Sequence, residues 1–95
     1  MNDSMDELLA DVTEPRLYPN PSGANGFTYQ FMSEVSQRST LQIYDMSGIL
    51  VYESTVDISE GINEFQVNPG LKNGNYLLRI TGGNLLLQER LIIQQ

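Results

Sequence analysis

The chain has no cysteine, no histidine and no tryptophan. Without cysteine there is no disulfide to stiffen it and no thiolate chemistry. Without histidine it lacks the commonest general base and the commonest metal ligand, so a Ser–His–Asp triad, a Cys–His pair and the usual zinc sites are excluded. Bases are scarce: five Lys and Arg stand against twelve Asp and Glu, for a formal net charge of −7. That balance repels phosphate backbones and anionic membrane surfaces alike, and so argues against nucleic-acid and lipid partners. No apolar run approaches the roughly 18 residues a membrane helix needs. The N-terminus, Met1-Asn2-Asp3-Ser4, has neither the positive nor the apolar region of a signal peptide. If the natural protein is exported, the chain is expected to be part of a longer precursor, with Met1 as an expression start. At 95 residues it is expected to form one small domain that buries about 60–65% of its unfolded surface.

Residues 1–14, MNDSMDELLADVTE, carry five acids (Asp3, Asp6, Glu7, Asp11, Glu14) and no base. Met5, Leu8, Leu9 and Val12 fall near helical spacing, and Ser4 with Glu7 has the spacing of a capping box. A helix this short is unstable alone. The segment therefore reads as an acidic flexible linker with transient helix, a cleavable linker or a segment docked on a neighbour being the alternatives.

The domain proper, residues 15–95, is punctuated throughout by turn residues. Its first stretch, Leu17-Tyr18-Pro19-Asn20-Pro21, is a stiff extended arm, because each proline fixes its own φ and pushes its predecessor toward extended backbone. Residues 27–32 alternate aromatic with polar and predict a strand with Phe27, Tyr29 and Phe31 on one face. After a polar loop at 33–39 comes the stretch that organises the chain, LQIYDMSGILVY from Leu41 to Tyr52. It predicts a hairpin with strands at 40–46 and 49–56, turned by Asp45 and Gly48. Further strands are predicted at 62–67, 75–81 and 85–93, with Gly82-Gly83-Asn84 as a tight turn. In the hairpin's second strand and in 85–93 both phases are apolar, so the inward face is left open. Six or seven short strands at such spacing predict an all-β, small antiparallel β-sandwich of immunoglobulin or fibronectin type.

Two carboxylate groupings are candidates for chemistry. The acids of the linker resemble no calcium loop. Asp57, Glu60 and Glu64 lie around one turn, but a glycosidase-type pair needs a cleft that so small a sandwich rarely has. Gly82-Gly83 precedes no helix and is a turn, not a phosphate cradle. The residues point to a module without catalytic groups, cofactor or metal, one that recognises something or is itself recognised.

The order of the punctuation is more specific than the fold class. Tyr18-Pro19-Asn20-Pro21 comes first, then Ile43-Tyr44-Asp45-Met46-Ser47-Gly48, then Gly61-Ile62-Asn63, Leu71 with Gly74-Asn75-Tyr76, and last Arg90-Leu91-Ile92-Ile93-Gln94. This series, over about residues 16–95, resembles the type A C-terminal sorting domain of the type IX secretion system, found on cargo of Bacteroidetes. The resemblance implies a secretion signal that folds. Cargo N-terminal to it would enter the periplasm by a signal peptide, cross the outer membrane through the translocon, and be secreted or held at the cell surface. It implies translocon components and a surface sortase as partners, with cleavage before Leu17. It also implies that Tyr18, Pro19, Asn20, Pro21, Asp45, Gly48, Gly74, Tyr76 and residues 90–94 form the sorting motifs. Arg90 stands where the family often has lysine, a change that keeps charge but alters donor geometry.

A rival reading is a carbohydrate- or surface-binding accessory module of a secreted enzyme. That role needs a planar row of exposed aromatics, whereas the five Tyr and three Phe fall mostly at positions expected to face the core. Self-association through an edge strand is a further expectation of an open sandwich.

Overall fold

The computed structural model describes residues 14–83 and 85–95; of the acidic linker, only Glu14 falls within them. Seven strands follow one another: β1 (Arg16–Gly23), β2 (Gly26–Ser33), β3 (Gln37–Asp45), β4 (Leu50–Ile58), β5 (Gly61–Val67), β6 (Gly74–Gly82) and β7 (Leu85–Ile93). No helix occurs among the described residues. The spatial order is β4-β3-β6-β7-β1-β2-β5. Four strands make one side and β2 with β5 the other, β1 joining them, so the sheet curls on itself as a small sandwich. All neighbours are antiparallel except β1 and β7, which run parallel where Ser22 meets Ile93.

Alternation along the strands makes the core. Phe27, Tyr29 and Phe31 of β2 face Leu41 and Ile43 of β3, Leu78 and Ile80 of β6, and Leu91 and Ile93 of β7, all buried. Phe65, Tyr52 and Val56 pack against this cluster from the two edge strands. Each such side chain contributes roughly 1.5–3 kcal/mol when fully buried, which is how a chain with no disulfide holds together.

Register settles the phase that apolar content left open. Residues opposite each other in a ladder share a face. Tyr52 lies opposite Ile43, and Leu91 lies opposite Tyr76, so Tyr52, Val56 and Ile58 turn inward on β4, and Leu85, Leu87, Leu91 and Ile93 on β7. Ile49, Leu50 and Val51 are left exposed at the hairpin tip.

The polar loop expected at 33–39 is shorter than expected, because β3 begins at Gln37. Its first residues pair through polar side chains instead of apolar ones. Gln37 donates to the Gly82 carbonyl at 2.7 Å, and Arg38 faces Asp57 across the ladder at 3.1 Å. The proline arm likewise forms a strand, β1, through pairing at both its ends. At the β4–β5 corner the buried Asn63 accepts from Ser59 N–H and donates to the Ser59 and Gly61 carbonyls.

Gly26 opens β2 with φ +83°, and a Cβ there would collide with the Val67 carbonyl oxygen. Gly23, across the same turn, has open space around it. Gly26→Ala is therefore expected to cost about 2 kcal/mol or more, and Gly23→Ala less than about 0.5 kcal/mol. Urea unfolding of the two variants checks this; equal losses would contradict it.

Candidate recognition surface

The C-terminal strand is held by the first motif of the chain. The β1–β2 ladder runs from Arg16 to Tyr18 opposite Gln30 to Thr28, then resumes only at Gly23. Pro19 and Pro21 have no N–H to offer a neighbouring strand, and both peptide bonds preceding them are cis. Between them the Asn20 side chain does what a strand backbone would do. Its Nδ2 donates to the Arg90 carbonyl at 2.9 Å and its Oδ1 accepts the Ile92 N–H at 2.9 Å. Only one orientation of the amide satisfies both partners. Two residues on, the Ser22 carbonyl accepts the Gln94 N–H at 2.8 Å, and the Asn73 side chain accepts the Gln95 N–H at 2.9 Å.

The second cluster is built by the β3–β4 turn. Asp45 Oδ1 accepts from the Ser47 N–H at 2.9 Å, the Ser47 hydroxyl at 2.8 Å and the Ile49 N–H at 3.0 Å. Gly48 closes the turn at φ +88°, a conformation that costs a glycine little. The Ile49 N–H, followed by the Ser47 hydroxyl, holds the Asp45 carboxyl below its ordinary range. Register then brings other motif residues alongside. Asp45 pairs with Tyr76, and Tyr76 with Leu91; one step along, Tyr44 pairs with Leu77, and Leu77 with Arg90. Asp45, Gly48, Tyr76 and Arg90 thus line one open groove of ≈ 450 Å³, together with Tyr44, Met46, Leu77 and Arg79. The Tyr76 ring is buried, and its hydroxyl donates to the Lys72 carbonyl at 2.7 Å.

The sequence-predicted residues therefore fall into three places. Asn20, Gly74 and residues 90–94 meet at the β1–β7–β6 seam, where Gly74 lies opposite Ile93. Asp45, Gly48, Tyr76 and Arg90 share the groove. Tyr18, Pro19 and Pro21 are exposed on β1 outside it, Tyr18 lying under the Arg16 guanidinium at 5.6 Å. Within the terminal motif, Leu91 and Ile93 point into the core, while Arg90, Ile92 and Gln94 are on or near the surface. Tyr44, which stands within the second motif, and Leu77 and Arg79, which stand in none, complete the groove; the signal for them is the second, non-core phase of β3 and β6.

The candidate catalytic acids are each engaged by different partners. Asp57 faces Arg38, Glu64 accepts from Gln30 at 3.0 Å, and the Glu60 N–H is held by the Ser36 hydroxyl. Glu89 differs from them in lying on the inward phase of β7, where burial raises its carboxyl above the ordinary value. It stands within electrostatic range of the Tyr29 phenol, whose own ionisation is pushed up by burial and then by Glu89. Of the aromatic residues only Tyr18 is well exposed, at 38%, so there is no planar row of rings on the surface of the described residues.

What these observations define is an all-β recognition module whose first and last motifs meet at one end. Comparison with known families agrees with that class. The sequence matches the family described as the secretion system C-terminal sorting domain over residues 16–94, from the first residue of β1 to the residue after β7. The chain belongs to that family and is a type IX secretion C-terminal sorting signal. The family is not one of enzymes, and it implies an N-terminal cargo, secreted or associated with the outer membrane, that is handled by the secretion machinery. No curated protein matches the chain.

Two outcomes are expected. Asn20→Ala removes both seam bonds, at about 1–2 kcal/mol in total, and speeds amide exchange at Ile92. Asn20→Asp keeps the acceptor for Ile92 but sets a carboxylate against the Arg90 carbonyl, so Ile92 stays protected while stability still falls. For Glu89 the folded carboxyl titrates above the unfolded value of about 4.3. The native state then binds the extra proton, and stability falls as pH rises through the folded pKa. Glu89→Gln is expected to be more stable than wild type near neutral pH, the difference vanishing at acid pH. Urea midpoints across pH check it; a constant difference would contradict it.

Proposed function

We propose that this domain is read as a folded surface, and that the seam and groove at the C-terminal end of β7 are the part inspected by the translocon. The observation that carries the reading is the Asn20 side chain bonded to the backbone of Arg90 and Ile92. It ties the first sorting motif to the last, so the motifs make one surface only in the folded state. On that surface Arg90, Ile92 and Gln94 are the side chains a partner can touch. Leu91, Ile93 and Tyr76 shape it from beneath, and Asp45, Gly48 and Gly74 set the backbone around it. Tyr18, Pro19 and Pro21 extend it along β1.

The cargo lies N-terminal to residue 15 in the full-length precursor and enters the periplasm by its own signal peptide. Once it is outside, a surface sortase cuts in the segment before Leu17. β1 begins at Arg16, so a cut upstream of it leaves every strand intact. The released cargo is then secreted or fixed to the cell surface.

A fusion of signal peptide, passive reporter and residues 15–95 is expected to carry the reporter outside a type IX-competent cell. Periplasmic retention of the folded fusion would contradict the proposal. Deleting residues 91–95 is a poor control, because it removes Leu91 and Ile93 from the core and unfolds the domain. Arg90→Gln with Ile92→Ser leaves the core residues in place and is expected to reduce export while thermal unfolding stays close to that of the parent. Undiminished export of the double variant would show that the address lies elsewhere.

A further inference from the structure

The groove that includes Arg90 also holds a second arginine, Arg79, and the pair makes a charge pattern of its own. Arg38 is paired with Asp57 and Arg16 is stacked on Tyr18. Among the described residues neither Arg79 nor Arg90 has an ion-pair partner, and the buried Arg79 Nε has no hydrogen-bond partner either. Asp45 is engaged by its own turn and Glu53 by Gln42 at 2.8 Å, while Glu89 lies on the inward phase of β7, opposite in phase to Arg90. Between the arginines runs an apolar floor of Leu77 and Tyr44, with Met46 exposed at its rim. On a chain of net charge −7, this is a cationic and apolar strip. Its complement is a peptide in which carboxylates alternate with apolar side chains.

The chain itself contains such a peptide. Residues 1–14 hold five acids and no base, interleaved with Met5, Leu8, Leu9 and Val12. Extended chain spans at most about 3.6 Å per residue, so thirteen residues upstream of Glu14 reach about 45 Å, comparable to the longest dimension of the fold, 47 Å. We propose that the acidic segment 1–13 docks on the Arg79–Leu77–Arg90 groove of its own domain. Carboxylates of the segment pair with the two guanidinium groups, and its leucines lie on Leu77 and Tyr44. The inference does not depend on the sorting role, since it concerns the purified chain alone.

Because the chain has no cysteine, a nitroxide attached through Ser4→Cys, well upstream of the tether at β1, labels a single position in the full chain. Amide signals of Tyr44, Leu77, Arg79 and Arg90 are expected to broaden, while those of the β5 edge strand, beyond β2 from the tether, stay sharp. The broadening is expected to disappear in about 1 M salt, where the Debye length falls to about 3 Å. It should also disappear in Arg90→Gln, a change at an exposed residue that leaves the core untouched, and return in Arg90→Lys. Uniform or absent broadening, broadening centred on another face, or insensitivity to both salt and Arg90→Gln would overturn the proposal. So would broadening that appears only when labelled and isotope-enriched chains are mixed, which would place the segment on a second copy.

Discussion

Two hydrogen bonds from one exposed side-chain amide decide how this fold closes. β1 cannot pair along its whole length, because Pro19 and Pro21 lack the donors that a ladder needs. Asn20 supplies both a donor and an acceptor to β7 in the gap, and Ser22 then takes up the parallel pairing with Ile93. The four-stranded and two-stranded sides of the sandwich are joined through this one strand. Remove the seam and they are connected only by turns and by core contact. The Asn63 corner plays a matching but smaller part where β4 passes into β5.

β7 serves two purposes with one sequence. Its inward residues Leu91 and Ile93 complete the core, and its outward residues Arg90 and Ile92 lie beside the groove. A period of two lets both demands be met without compromise between them. Glu89 is the exception: a carboxyl on the core side, whose burial raises its pKa beside a tyrosine hydroxyl that has no partner among the described residues. The Asp45 turn has the opposite electrostatic character, with hydrogen bonds that favour the charged form. One acid is held in its charged form by the turn it organises; burial disfavours the charged form of the other.

Much of the architecture was legible from alternation and turn residues. Phe27, Tyr29 and Phe31 on β2, and Tyr76, Leu78 and Ile80 on β6, sit where a period of two puts them. The turn of Asp45 and Gly48 is formed by the residues whose chemistry predicted it. The start of β3 was not legible, because Gln37 and Arg38 are held by polar partners 45 and 19 residues away. Nor was the phase of β4 and β7, where an all-apolar run has no preferred face until a neighbour fixes the register. The groove was half legible. Asp45, Gly48, Tyr76 and Arg90 could be picked out by motif, but their meeting around one groove depends on ladders between β3, β6 and β7. Arg79 carries no motif at all and gains its place only by standing next to Leu77.

The seam joins Ser22 to Ile93 and Asn20 to Ile92, nearly the full span of the domain. Contacts so far apart in sequence carry the cost of closing a long loop and need both ends of the domain to be present. A polypeptide that stops before its final strand leaves Asn20 with nothing to hold and the core without Leu91 and Ile93. Loss of β7 therefore removes the seam and part of the core together, which makes closure of this fold an all-or-none check that its first and last strands are both present.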